Sequence, residues 1–200
     1  MKSGTKLKQI LVSLLGNIIL GAGVAFSAQA RLGTDPSVSG SQAISNYYGI
    51  SLGLMVTITN IILAICVFII YRKNLGITTL IVVFLNQYPI DFFSKLIPYT
   101  DVFVIRILYV LIGSVLVALA CNIMINSNLG MGVYDAFVFS FVYRFNIKFI
   151  IVRYIVDASF LAITLLFKGY IGIGTILAYL LTGNLMNITK PYIDKIIHFE

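Results

Sequence analysis

Arg31-Leu32-Gly33-Thr34-Asp35-Pro36-Ser37 closes one long uncharged run, and Leu129-Gly130-Met131-Gly132-Val133-Tyr134-Asp135 closes another. In each, a Leu-Gly pair marks a helix stop, because glycine tolerates the positive φ that ends a helix. Pro36 suits the first turn of a new helix, and Asp35 before it is the expected N-cap. A short helix is therefore expected over Pro36–Tyr48 and a matching one over 132–143. Both are shorter than the roughly 20 residues needed to cross a bilayer. Both are also too apolar for ordinary loops. They are expected to re-enter the membrane or lie at its surface, where protein covers their backbone ends.

The flanking sequence sets the class. Runs 9–30, 36–71, 107–134 and 169–189 contain no Asp, Glu, Lys or Arg. Of the 200 residues, 60% are hydrophobic and only 10% charged, too few to cover a water-facing surface. Charge punctuation predicts an all-α membrane protein with six transmembrane helices, at about 11–30, 51–71, 76–93, 107–125, 149–167 and 171–187. Lys2, Lys6 and Lys8 precede a first run that ends Ala28-Gln29-Ala30, like a cleavable signal. The run is long for that role and has a counterpart downstream, so it is expected to remain as the first span.

The halves correspond. At an offset of 97, Gly16 falls on Gly113, Leu32-Gly33 on Leu129-Gly130, and Asn60 on Asp157. After a one-residue gap, Leu75-Gly76-Ile77-Thr78-Thr79 falls on Ile171-Gly172-Ile173-Gly174-Thr175, and Asp91 on Asn187. The chain is expected to be one membrane domain of two three-span repeats, 1–98 and 99–200, each with a short non-spanning helix. Three spans is an odd number, so the second repeat is expected to be inverted relative to the first. With the N-terminus inside, ten basic residues (Lys2, Lys6, Lys8, Arg72, Lys73, Arg144, Lys148, Arg153, Lys190, Lys195) sit at cytoplasmic ends. Four (Arg31, Lys95, Arg106, Lys168) sit outside. That bias predicts cytoplasmic N- and C-termini in a bacterial cell membrane.

Net charge is +7, yet the basic residues gather at span ends and form no patch, which excludes nucleic acid as a partner. Cys66 and Cys121 lie inside apolar runs and read as buried free thiols. The single histidine, His198, reads as a tail residue. No metal spacing, phosphate loop, nucleophile elbow or pair of catalytic carboxylates emerges, so no metal, cofactor or enzymatic activity is expected.

Polar groups in apolar spans are the candidate site, since a buried charge costs several kcal/mol unless paired or hydrated. They are Asp35, Asn60, Gln87, Asp91, Asp135, Arg153, Asp157 and Asn184. Arg153 and Asp157 are four apart on one helix face and can pair. Gln87 and Asp91 flank Pro89, which should bend or end the third span. Thr182, Asn184 and Asn187 are polar on the sixth. Each residue also has a plain reading: a cap, a self-neutralising pair, or a bond between helices. The N-terminus of the short helix after Asp35 offers free N–H groups to an anion. The aspartate itself opposes one, unless it holds a cation or a proton. The glycines Gly16, Gly21, Gly23 and Gly113 read as close helix packing.

The run Arg31-Leu32-Gly33-Thr34-Asp35-Pro36, then Asn60, then Gly76-Ile77-Thr78-Thr79 and Asp91, resembles the bacterial YczE/YyaS/YitT-type integral membrane proteins, in particular the YczE-like branch. The second turn departs from that pattern at Val133-Tyr134-Asp135. The resemblance implies a multi-span bacterial membrane protein and little about chemistry. Inverted repeats of three spans suit a small-molecule transporter or permease with its site between the halves. The alternative is a non-enzymatic accessory or substrate-binding subunit of a larger transport system. Expected partners are the lipid bilayer, a small-molecule substrate, and either further copies of the chain or a partner subunit.

Overall fold

The computed structural model describes residues 3–197; Lys2 and His198 lie outside them. Among the described residues there are nine α-helices and no strand. They are α1 (Ser3–Gln29), α2 (Pro36–Tyr48), α3 (Leu52–Tyr71), α4 (Ile77–Leu85), α5 (Gln87–Leu96), α6 (Phe103–Asn126), α7 (Val133–Phe145), α8 (Phe149–Leu166) and α9 (Ile173–Ile196). A single 3-10 turn, Arg72–Asn74, extends α3. Four segments are long and apolar enough to cross a membrane: Thr5–Gln29, Leu52–Asn74, Phe103–Asn126 and Phe149–Leu166. The outer surface is greasy, with Ile69 75%, Leu166 76% and Ile196 77% exposed. Exposure on that scale suits lipid and not water.

The expected third span, 76–93, is broken. α4 and α5 meet at Asn86 with a 45° bend, and the pair counts as a fifth span if taken together. The break falls before Pro89, which has no N–H to donate and whose ring crowds the carbonyl four residues back. The expected sixth span runs longer than 171–187. α9 reaches Ile196 through Pro191, and Thr182, Asn184, Asn187 and Lys190 leave it too polar to pass as a span on composition. α2 begins and ends where its sequence indicates: Asp35 Oδ1 accepts from Ser37 N at 3.0 Å, and Gly49 closes the helix at φ 69°.

Backbone geometry repeats along the chain. Arg31, Gly33 and Gly49 have positive φ, and so do Asn128, Gly130 and Asn146, each 97 positions later. Packing repeats as well. α2 packs on α8 as α7 packs on α3, and α1 packs on α4 and α5 as α6 packs on α9. The centre is the α1–α6 contact. A side chain at Gly16 would meet Met124 and the Ala120 carbonyl, while one at Gly113 would meet Ser27 and the Gly23 carbonyl. These two contacts are images of one another at the 97-residue offset. At the far end of α1, Arg106 Nε donates to the Ala30 carbonyl at 2.6 Å. The partner number falls from 124 to 106 as the α1 number rises from 16 to 30, so α1 and α6 run antiparallel.

Each Leu-Gly turn locks onto the start of a helix distant in sequence, the first onto α9 and the second onto α4. The Leu32 carbonyl accepts from Gly174 N at 2.8 Å, and the Leu129 carbonyl accepts from Thr78 N at 3.2 Å. Glycine is obligatory there: a Cβ on Gly76 would lie 2.1 Å from the Leu129 oxygen, and one on Gly174 2.5 Å from the Gly33 oxygen.

Candidate functional site

A cavity of about 140 Å³ lies between α1, α3, α4, α6, α7, α8 and α9 and the start of α2. Its walls come in pairs 97 apart: Leu20 and Val117, Val24 and Cys121, Asp35 and Gly132, Ser37 and Tyr134, Val38 and Asp135, Val56 and Arg153. The cavity is thus lined by both members of each of these pairs. The paired residues differ in chemistry, so the walls are symmetric in place and asymmetric in charge.

Four of the residues singled out in the sequence meet there: Asp35, Asn60, Asp135 and Arg153. Asp35 caps α2, and its Oδ1 also accepts from Ser37 Oγ at 2.7 Å. Asp135 stands in the first turn of α7, whose N-cap, Gly132, has no side chain to offer. Asp157 is 5% exposed and sits just behind the wall. It accepts a hydrogen bond from the Tyr134 hydroxyl and lies 3.6 Å from Arg153 Nε. The Arg153 guanidinium also lies over the Tyr134 ring, 5.8 Å from its centroid. Asp35, Asp135 and Asp157 all act on the Arg153 charge.

The other candidates lie elsewhere. Asp91 accepts from Ser51 Oγ and from Gly53 N, both at 2.9 Å, and so ties α5 to the start of α3. Gln87 opens α5, with its carbonyl against Gly53. Asn184 is exposed and donates to its own helix at Leu180 O, 2.9 Å away. Asn187 is also exposed. Cys66 and Cys121 are free but half-buried, and Cys121 lines the cavity.

Asn86, Tyr134 and Ser27 line the cavity without having been singled out. Asn86 is 3% exposed, and its side-chain oxygen has no hydrogen-bond partner. It sits at the α4–α5 break, 96 positions before Thr182, which lines the cavity too. The 96-residue offset read in the sequence therefore carried the signal for Asn86 once Thr182 was noted.

A wider polar pocket of about 720 Å³ lies among α1, α2, α5 and α8, edged by Arg31 and Lys168. Thr34 on the cavity donates to Gln42 on this pocket at 3.1 Å, and Gln42 Nε2 reaches the Ala28 carbonyl at 3.3 Å. Phe139, 97 positions after Gln42, stacks on Tyr143 and packs tilted against Phe149. Asn74 fills the same end, donating to Ser140 Oγ at 3.1 Å. Near the mouth of the wider pocket, Arg31 lies over Tyr99 at 4.2 Å, and the Tyr99 hydroxyl bond to Asp101 pushes that phenol above its ordinary range.

The chain is 29% identical to a Bacillus subtilis (strain 168) protein described as "Uncharacterized protein YyaS", over 92% of each chain. No solved structure matches it. Residues 7–191 match a family described as a family of unknown function, DUF6198, and the chain belongs to that family.

Proposed function

We propose that the chain is a multi-pass permease of the bacterial cell membrane, with a small-molecule site in the cavity shared by two inverted three-span halves. The carrying observation is that the cavity is walled by residue pairs 97 apart while α1 and α6 run antiparallel. Antiparallel spanning helices related by a two-fold place that axis in the membrane plane, which is the arrangement of inverted repeats. The six spans of this reading are α1, α3, the bent α4–α5 pair, α6, α8 and α9. α2 and α7 are re-entrant, with N-termini directed at the cavity. The halves correspond to 1–98 and 99–200, both termini are cytoplasmic, and the protein acts without catalysis. A resemblance to the YczE-like branch fits the same build.

Rocking of one half against the other would expose the cavity first to one side and then to the other. The polar pocket at Arg31 and Lys168, set against the aromatic plug at Phe139, fits a conformation open toward one face. Two experiments test the proposal. Single cysteines replacing Asn74 and Lys168 in a protein lacking Cys66 and Cys121 should react with an impermeant maleimide from opposite sides. Labelling from the same side refutes the topology. Metabolites that raise the melting temperature of purified protein should then be taken up by proteoliposomes, and Asp135→Asn should abolish that uptake. Hits without any uptake refute the permease.

A further inference from the structure

We propose that the cavity binds a compact monovalent organic cation, an ammonium with a small apolar body. This inference rests on the cavity being the ligand site of the permease proposed above. Charge decides the sign. Asp35, Asp135 and Asp157 supply three carboxylates, and Arg153 supplies one cation. The N-termini of α2 and α7 add ~0.5 of a positive charge each. The excess is about one negative charge, in walls otherwise built from Leu20, Val24, Val56, Leu63, Val82 and Val117.

Such a charge in an apolar enclosure is costly until a cation meets it. Arg153 cannot serve fully, since its Nε faces Asp157 and its guanidinium lies over Tyr134. The side chains of Asp135 and Asn60 have no hydrogen bond with any described residue. Asn86 independently points to an occupant, because its oxygen is buried on the cavity wall with nothing to accept from. A buried unpaired oxygen of this kind calls for a donor. An ammonium supplies the donor that the unpaired polar groups of this wall lack, and its carbon body meets the aliphatic walls. The volume sets the size. At about 140 Å³ the space is close to the ~150 Å³ cavity that accepts benzene, so the ligand has roughly six to eight non-hydrogen atoms.

Calorimetry on the full chain in phosphatidylcholine nanodiscs tests this with four probes of similar size: cyclopentylammonium, cyclopentanol, cyclopentanecarboxylate and the zwitterion alanine. Sodium ion is a fifth. Cyclopentylammonium should bind at least tenfold more tightly than the other four. Asp135→Asn should weaken it at least tenfold, and Asp91→Asn, which removes an equal charge outside the cavity, should leave it unchanged. Leu20→Trp fills the cavity without altering charge and should abolish binding while the protein stays monodisperse; it carries the test if Asp135→Asn fails to fold. Equal or tighter binding of the alcohol, the carboxylate, alanine or sodium overturns the inference, as does an unaffected Asp135→Asn or Leu20→Trp. Ammonium binding without flux in proteoliposomes would retain the inference and refute the permease. Flux of a neutral or anionic solute would do the reverse.

Discussion

Substituting Gly76 by alanine separates the interlocked-turn account of this fold from simple capping preference. Gly76 is the N-cap of α4, where glycine is preferred to alanine, so capping preference alone predicts a loss of about 1 kcal/mol or less. The structure predicts a larger one. The added Cβ would sit 2.1 Å from the Leu129 oxygen and 2.8 Å from Gly130 Cα. Both are backbone atoms and neither can swing aside, so the turn and the start of α4 must separate by about an ångström to reach ordinary contact. Overpacking of this kind costs about 1–3 kcal/mol. Separation also weakens two bonds that cross the same seam, Thr78 N to the Leu129 carbonyl at 3.2 Å and Thr79 Oγ1 to the Met131 carbonyl at 2.8 Å. Each is worth ~1 kcal/mol. The expected loss is about 3–5 kcal/mol. Gly183 is the control: it lies in α9 with nothing near enough to touch a Cβ, so Gly183→Ala should gain up to ~1 kcal/mol. Reversible unfolding of purified protein, by sodium dodecyl sulfate titration from mild detergent, reads both. If Gly76→Ala unfolds within 1 kcal/mol of the parent, the seam does not hold the halves together.

Three further outcomes follow from individual side chains. Asp157→Leu should cost about 3–5 kcal/mol in the same titration, because it leaves Arg153 unpaired in the bundle and Tyr134 without its acceptor; Arg153→Met added to it should restore most of the loss. Asp91→Asn should cost about 2 kcal/mol, since its two oxygens hold Ser51 Oγ and Gly53 N, and should leave cavity ligands unaffected in calorimetry. Asn184→Leu should change stability by less than ~0.5 kcal/mol, because the exposed amide bonds only to its own helix.

Local chemistry was legible in the sequence; the facing of side chains was not. α2 spans Pro36–Tyr48 as read, because Asp35, Pro36 and Gly49 are local signals that need no tertiary partner. α7 has no capping side chain and no proline at its start, so it begins one residue after 132; Asn146, in the left-handed region, closes it two residues beyond 143. Polarity within an apolar run marked Asp35, Asn60, Asp135 and Arg153, which converge, and marked Gln87, Asp91 and Asn184 equally, which do not. Position on the helix explains the last. Asn184 lies two residues beyond Thr182, about 200° around the axis, so when one faces the cavity the other faces away. The capping role of Asp91 depends on where α3 begins in space, which its own segment does not state.

The distribution of symmetry along the chain bears on what the cavity does. Residues that hold the halves together match across the repeat: Gly16 with Gly113, Gly33 with Gly130, and Gly76 with Gly172, each meeting equivalent neighbours. Each of these close contacts is thus made twice in the structure, at positions 96 or 97 apart. The cavity wall departs from this matching at every charged position. Asp35 faces Gly132 in the pairing, Val38 faces Asp135, and Val56 faces Arg153. Two of these charges also serve the fold, Asp35 as the cap of α2 and Arg153 in its pair with Asp157, but each does so once, with Gly132 and Val56 at the paired positions. The cavity wall is therefore unequal in charge where the close glycine contacts are equal, which is the chemical asymmetry that the proposed cation site would use.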